Sequence, residues 1–514
     1  MNAAIYQMQT VGVSDKRCTT IACLIAVNLP PGVSDYALHP DHRNACGILI
    51  MSELMRPTFD LDLIEKYGGE GPRYTSYPTA VQFSEDFTGS DYRNAIAESN
   101  KLPIPPDLSL YVHVPFCTSP CFYCACNRVI TRSTTAGQEF LVSLEKELRL
   151  TAPMFDDDRP VRQLHLGGGT PTFLLTEQIR QMMALLKTHF HFAPDAELGL
   201  EVDPRTIDPA GIRELKEMGF NRISVGIQDL DPEVQNAVNR IHDTAQVGSI
   251  LGAARGVGFE SISVDLIYGL PMQTTAGFSK TIERVISMQP DRISLFNYAH
   301  LPHIFKAQRQ LDDSLLPTPS TKLTIFRNTL TRLMDAGYEF IGMDHFAKPT
   351  DSLVKAKQNG TMVRNFQGYS THGGLDLVSF GPSAISQVGD SFSQNHRKLQ
   401  DWAISLTEGK LPVARGLTRT TDDRLRADVI ERIMCTGSLN FHAIERDYQL
   451  TFRRYFADEL QRLEPLVDDG LIEWTDEGFA VTSDGLLFLR AIARTFDAYL
   501  TPNGQSQGRF SRIV

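Results

Sequence analysis

The chain has 514 residues, enough to bury a large core and to hold two or three domains. Hydrophobic residues make up 42% and charged residues 22%, an ordinary globular balance, while a formal net charge of −11 argues against nucleic-acid or anionic-membrane binding and requires any anionic substrate to find a local basic pocket. Eight cysteines, four of them in one short loop, are not an evenly spread disulfide framework, so free thiols in a reducing compartment, the cytoplasm, are expected.

Residues 1–54 carry Cys18, Cys23 and Cys46 and show no sustained helical or strand period. The apolar run Ile21–Val27 is too short to span a bilayer, and no membrane insertion is expected. This leader reads as a disordered tail or as sequence upstream of a start near Met51 or Met55. Residues 55–104 read as an N-terminal arm, with a short helix over Phe59–Tyr67 ended by Gly68 and Gly69. In Gly71–Ala80, two prolines and two tyrosines predict an extended segment.

Leu108–Val114 alternates like a strand and runs into Cys117, Cys121, Cys124 and Cys126, four thiols inside ten residues. Thiolates at C-x3-C-x2-C spacing suit one cubane [4Fe-4S] cluster and leave one iron open unless Cys126 or a distant residue ligates it. Structural zinc loops usually pair C-x2-C with a second pair, and ferredoxin runs use C-x2-C-x2-C with a distant fourth Cys before Pro, so neither alternative fits well.

A helix over Ala136–Leu150 then leads to the strand-like Val161–Leu166 and to Gly167-Gly168-Gly169-Thr170. The unit recurs with Glu197–Val202, Arg222–Ile227, Ser261–Ile267 and Arg292–Asn297, and the intervening helices close on Gly219, Gly258 and Gly337. Six β/α units over 105–365 predict a parallel sheet in a partial (β/α)6 barrel, with function at the strand C-termini. There stand Glu201, Gln228 and Asp265; each alone is commonly a capping residue, but together they ring one face of the sheet. Residues 366–514 read as a mainly helical, winged-helix-like C-terminal domain whose acidic hairpin, around Asp476-Glu477-Gly478, lacks the basic stripe that DNA requires. A lid over the barrel mouth is expected instead. His345 reads equally as facing the core or a substrate, and Arg490 and Arg494, at i,i+4, as solvated or as facing substrate carboxylates.

The C-x3-C-x2-C loop after a first strand resembles the radical S-adenosylmethionine (SAM) superfamily. Cys126-Asn127-Arg128, the arm Arg73–Ala80, and the segments Gly342–Lys348, Asn365–Thr371 and Gly381–Ile385 resemble the oxygen-independent coproporphyrinogen III oxidases, a likeness covering roughly residues 55–500. Haem-trafficking paralogues typically lack both the arm and the fourth cysteine.

The resemblance implies one [4Fe-4S] cluster on Cys117, Cys121 and Cys124, with an open iron chelated by a first SAM that Tyr111, Tyr123, Gly168, Glu201 and Ile385 would contact. It implies a second SAM on Gly169, Thr170, Gln228, Arg240, Asp265 and Ala299, and a catalytic role for Cys126 beside the cluster. The implied reaction is decarboxylation of two propionates of coproporphyrinogen III to vinyl groups in haem synthesis, by a monomer served by an electron donor such as flavodoxin or ferredoxin. Two positions depart from the family pattern: residue 123 is usually Phe, and Gly485-Leu486-Leu487 stands where a basic residue is common.

Overall fold

The computed structural model describes residues 56–133, 135–500 and 510–514, so the leader over 1–54 lies outside the described residues. Six strands recur with helices between them: β1 (Leu108–Val114), β2 (Val161–Gly168), β3 (Phe192–Val202), β4 (Arg222–Gln228), β5 (Ser261–Tyr268) and β6 (Arg292–Asn297). They lie side by side in chain order, all parallel, as the repeated crossovers require. The glycines closing the helices before β4, β5 and strand Glu339–Gly342 have φ of +105°, +78° and +86°, a region that costs glycine nothing.

The sheet extends past the six units. β7 (Asp376–Phe380) pairs parallel with β1, and the antiparallel strands Ile385–Val388, Ser391–Asn395 and Val413–Thr418 continue beyond it. At the other edge, His345–Ala347 pairs antiparallel with β6 and then with Glu339–Gly342. The sheet does not stop at residue 365 but runs to residue 418, because β7 supplies hydrogen bonds that β1 could not find among the β/α units.

The faces of these strands are opposite in character. Leu110, Val112, Leu164, Leu166, Ile223, Val225, Val264 and Leu295 point outward into the helices and are completely or almost completely buried. Their neighbours Gln163, His165, Glu197, Glu201, Arg222, Ser224, Ser263, Asp265, Arg292 and Ser294 point inward and line a polar interior hollow of ≈220 Å3. The outer ring of helices supplies the hydrophobic stabilisation, which leaves the barrel interior for binding.

The C-terminal unit forms helix Thr421–Thr436, then Ser438–Asn440, three helices, and the hairpin Ile472–Thr475 with Gly478–Val481, a winged-helix-like order. It has its own aromatic core, with Phe441 stacked 4.2 Å from Phe452 and Phe452 4.7 Å from Phe456. It does not line the cavity at the cysteine loop. Instead it meets the arm, where Arg490 is 4% exposed and donates to the carbonyls of Gly71, Pro72 (2.9 Å) and Arg512 (2.7 Å). Arg490 is thus neither solvated nor turned to the cysteine cavity, and it clamps the arm. Arg73 adds an ion pair to Asp344 at 2.5 Å.

Candidate active site

The cysteine loop leaves the C-terminal end of β1. Phe116–Cys117 pairs with Val129–Ile130, which closes the intervening residues into one excursion. Arg128 holds that excursion from within, donating to the carbonyls of Cys121 (3.3 Å), Cys124 (3.3 Å) and Cys126 (3.4 Å), while Asn239 Nδ2 holds the carbonyl of Pro120 at 2.7 Å. Asn127 anchors the far end, through Nδ2, to Ser383 Oγ (3.0 Å) and the carbonyl of Arg397 (2.8 Å).

Each thiol has its own surroundings. Cys117 Sγ lies 3.3 Å from Thr170 Oγ1, and burial pushes its thiol up to about 11. Cys121 is buried, with Arg205 Nη2 and Arg240 Nη1 each 3.5 Å from its sulfur. Cys124 Sγ accepts from the Cys126 backbone N–H at 3.4 Å, and Cys126 itself is exposed. Among the described residues no three His, Cys, Asp or Glu side chains converge as the ligands of a single ion would.

The four cysteines open onto a cavity of ≈530 Å3 at the ends of β2 to β6, which Tyr123, Gly168, Gly169, Thr170, Glu201, Gln228, Arg240, Asp265 and Ala299 also line. Tyr111 stands just below it, stacked on His165 at 6.1 Å. A Cβ on Gly167 would meet both Tyr111 (3.1 Å) and Glu201 Oε1 (3.0 Å), which places those two side chains together. Ile385 does not line the cavity; it sits on the strand beyond β7, and its carbonyl accepts from Ser379 Oγ at 2.5 Å. The glycines have a packing reason beside any ligand. A Cβ on Gly168 (φ +119°) would come within 2.8 Å of the Val114 carbonyl, and one on Gly169 within 2.8 Å of the Phe116 carbonyl, so the exit of β2 can lie against the root of the cysteine loop only without side chains.

The electrostatics divide the site. Burial, with Glu201 nearby, pushes the Asp265 carboxyl up to about 6. Burial also works against ionisation of Asp203, yet the guanidiniums of Arg240 (3.0 Å) and Arg205 (2.7 Å) outweigh it and hold that carboxyl down at about 2. Arg240 is further fixed by donating to the Gly226 carbonyl at 2.6 Å, and a Cβ at 226 would crowd both Gln228 Nε2 (2.8 Å) and Arg240 Nη2 (3.0 Å). Gln228, at φ +67°, keeps a buried Oε1 with no partner among the described residues.

Sequence reasoning missed Asp203, Arg205, Gly226 and Gln308. Asp203 and Arg205 follow Glu201 at the same strand end, so the strand-end rule applied two to four residues further would have found them. Gln308 had no such signal: buried in the Ala299–Leu316 connection, it ties the carbonyl of Tyr123 (3.0 Å) to that of Ala299 (3.2 Å).

Two family models match, the Radical SAM superfamily over residues 111–285 and the HemN C-terminal domain over 420–488. The oxygen-independent coproporphyrinogen III oxidase of Salmonella typhimurium is 47% identical over 456 residues, 89% of this chain and 98% of the relative. That of Pseudomonas aeruginosa is 47% identical over 458 residues, 89% of this chain and 99% of the relative. The solved structure of coproporphyrinogen III oxidase (HemN) from Escherichia coli superposes with a TM-score of 0.83 at 45% identity, covering 87% of this chain and 100% of that one. At 47% identity over nearly the whole length of these relatives, the chain belongs to the oxygen-independent coproporphyrinogen III oxidases of the radical SAM superfamily.

Proposed function

We propose that this protein converts two propionate side chains of coproporphyrinogen III to vinyl groups, giving protoporphyrinogen IX, with one [4Fe-4S] cluster and two molecules of SAM. The observation that carries this reading is the confluence of three separated thiols with Glu201, Asp265, Gln228 and Arg240 on one cavity, in a chain 47% identical to enzymes of that name. The donor set fits the group: soft thiolates for iron, an orphaned amide oxygen at Gln228 and a fixed guanidinium at Arg240 for amino and carboxylate groups. When bound, the reduced cluster and SAM would supply a 5′-deoxyadenosyl radical able to take a hydrogen atom from the propionate β-carbon, and the vinyl group would then form with loss of CO2 and of one electron to an acceptor.

The chain's own residues do the rest. Cys117, Cys121 and Cys124 would hold the cluster, with Cys126 left beside it on the same cavity, its backbone N–H donating to Cys124 Sγ. Glu201, beside Tyr111 over Gly167, would take an ammonium group; Arg240, braced by Asp203, would take a carboxylate. The Cys126 thiol is available to donate a hydrogen or an electron path at the cavity rim. Phe305 and the Gln308 tether form part of the cavity wall and would limit water's access to it. No helix among the described residues is long and apolar enough to cross a membrane. We read the protein as a cytoplasmic monomer served by flavodoxin or ferredoxin.

The test is anaerobic incubation of reconstituted enzyme with coproporphyrinogen III, SAM and a reductant, followed by chromatography of the oxidised porphyrins. Protoporphyrin is the expected product. Stoichiometric SAM cleavage with no vinyl-bearing porphyrin would overturn the reading.

A further inference from the structure

A second hollow of ≈260 Å3 lies inside the barrel, bounded by the arm (Tyr74, Tyr77), Ser109 and Leu377 at the starts of β1 and β7, and helix Thr421–Thr436. Arg364 and Arg419 are among its lining residues. Arg364 is 7% exposed and its Nη1 has no partner among the described residues; Arg419 Nε is likewise buried and unpartnered. Both are held rigidly. Arg364 lies 4.5 Å from the centroid of Tyr369 and donates Nε to the Arg73 carbonyl at 3.0 Å. Arg419 lies 5.4 Å from that of Phe392 and donates to the Gly389 carbonyl at 2.8 Å.

The charge around them does not balance. Asp390 is 3.6 Å from Arg419, and Asp344 is already paired with Arg73. Glu431 lines the hollow, but its Oε1 accepts the Arg364 backbone N–H at 2.9 Å, and burial pushes its carboxyl toward the neutral form. Arg364 is thus a buried cation with donors to spare, a costly arrangement unless an anion completes it.

The hollow lies at the starts of the strands and is linked toward the cysteine cavity only through the barrel interior. Ser109 is two residues before Tyr111 on the inward face of β1, about 7 Å along the strand. Ser109 Oγ donates to Gln163 Oε1 at 3.0 Å, and Gln163 also lines the neighbouring interior hollow, which shares Glu201, Ser224, Asp265 and Phe296 with the cysteine cavity. Gln367, on the same hairpin as Arg364, presents one more buried unpartnered donor, Nε2, into that hollow.

We infer that this basic hollow receives a carboxylate of the tetrapyrrole substrate, a peripheral propionate that is not reacting, held by Arg364 and Arg419. The inference rests on the proposed function, and it supplies the local basic pocket that a chain of net charge −11 needs for a polycarboxylate.

The test is fluorescence titration of the full-length protein with coproporphyrin III, the stable oxidised form of the substrate, against its tetramethyl ester. Arg364→Gln and Arg419→Gln are each expected to weaken coproporphyrin binding tenfold or more and to leave ester binding unchanged, with Arg364→Lys recovering part of the loss. In turnover the same variants raise KM for coproporphyrinogen and leave kcat within a factor of a few. Wild-type affinity in both glutamine variants, folded by circular dichroism, would overturn the site, as would equal weakening of the ester or competition by inorganic phosphate at the concentrations used for the porphyrin. A wild-type protein that binds coproporphyrin through these arginines but forms no vinyl product would leave the site standing and remove the reaction instead.

Discussion

Arg240→Ala separates cluster chemistry from substrate turnover. The guanidinium, with its side chain 9% exposed, donates to Asp203 Oδ2 (3.0 Å) and to the Gly226 carbonyl (2.6 and 3.2 Å), and lies 3.5 Å from Cys121 Sγ. Removing one partner of a buried pair costs on the order of 3–5 kcal/mol. Here Asp203 keeps Arg205, with contacts at 2.7 and 3.0 Å, so the loss in folding stability should fall at or below the lower end of that range. The functional loss is a charge-assisted contact to a bound carboxylate, about 1.5–3 kcal/mol, or roughly ten- to a hundredfold in binding. Three assays on one preparation decide it: iron content, 5′-deoxyadenosine release without substrate, and protoporphyrin yield. The variant should hold its full iron and still cleave SAM, while product falls by at least tenfold. Wild-type product yield would make Arg240 an ordinary ion-pair partner. Loss of iron would show that its contact with Cys121 serves cluster assembly.

Replacing Cys117, Cys121 or Cys124 with Ala should abolish cluster assembly, read as iron content and visible absorption after anaerobic reconstitution; a variant that keeps a full cluster removes that cysteine from the ligand set. Cys126→Ser should keep an oxygen-sensitive four-iron cluster and lose most vinyl formation, and loss of the fourth iron would instead make Cys126 a ligand. Glu147 is buried and accepts from the Gly381 N–H (2.9 Å), Asn395 Nδ2 (2.6 Å) and Trp402 Nε1 (3.0 Å), yet burial outweighs these donors and pushes its carboxyl up to about 8. Because the folded state holds that proton more tightly than the unfolded chain, Glu147 makes stability fall as pH rises from the ordinary carboxyl range toward 8, at up to about 1.4 kcal/mol per pH unit. Denaturant midpoints against pH should show that slope in the wild type and a flatter profile in Glu147→Gln; identical profiles would mean that Glu147 is ionised in the fold.

Local pattern determined much of this protein. Alternation set all six parallel strands and assigned their apolar residues to the helices, because side-chain period is a property of the backbone itself. The glycines at 219, 258 and 337 marked their helix ends because only glycine enters positive φ without cost. Cys117, Cys121 and Cys124 were legible for the same reason: their relation is one of spacing within a single loop.

What escaped depends on partners far apart in the chain. β7 joins β1 across the whole β/α series, so no local signal could show that the sheet outlasts residue 365. Arg490 reads as a helix-surface cation, yet the fold buries it on the carbonyls of the arm. Asp203, Arg205 and Arg240 form one charged unit only because successive crossovers bring the ends of β3 and β4 side by side. Spacing along the chain can place a residue on a strand face, but burial decides which charge is left without a partner, and burial comes from the packing of the whole molecule.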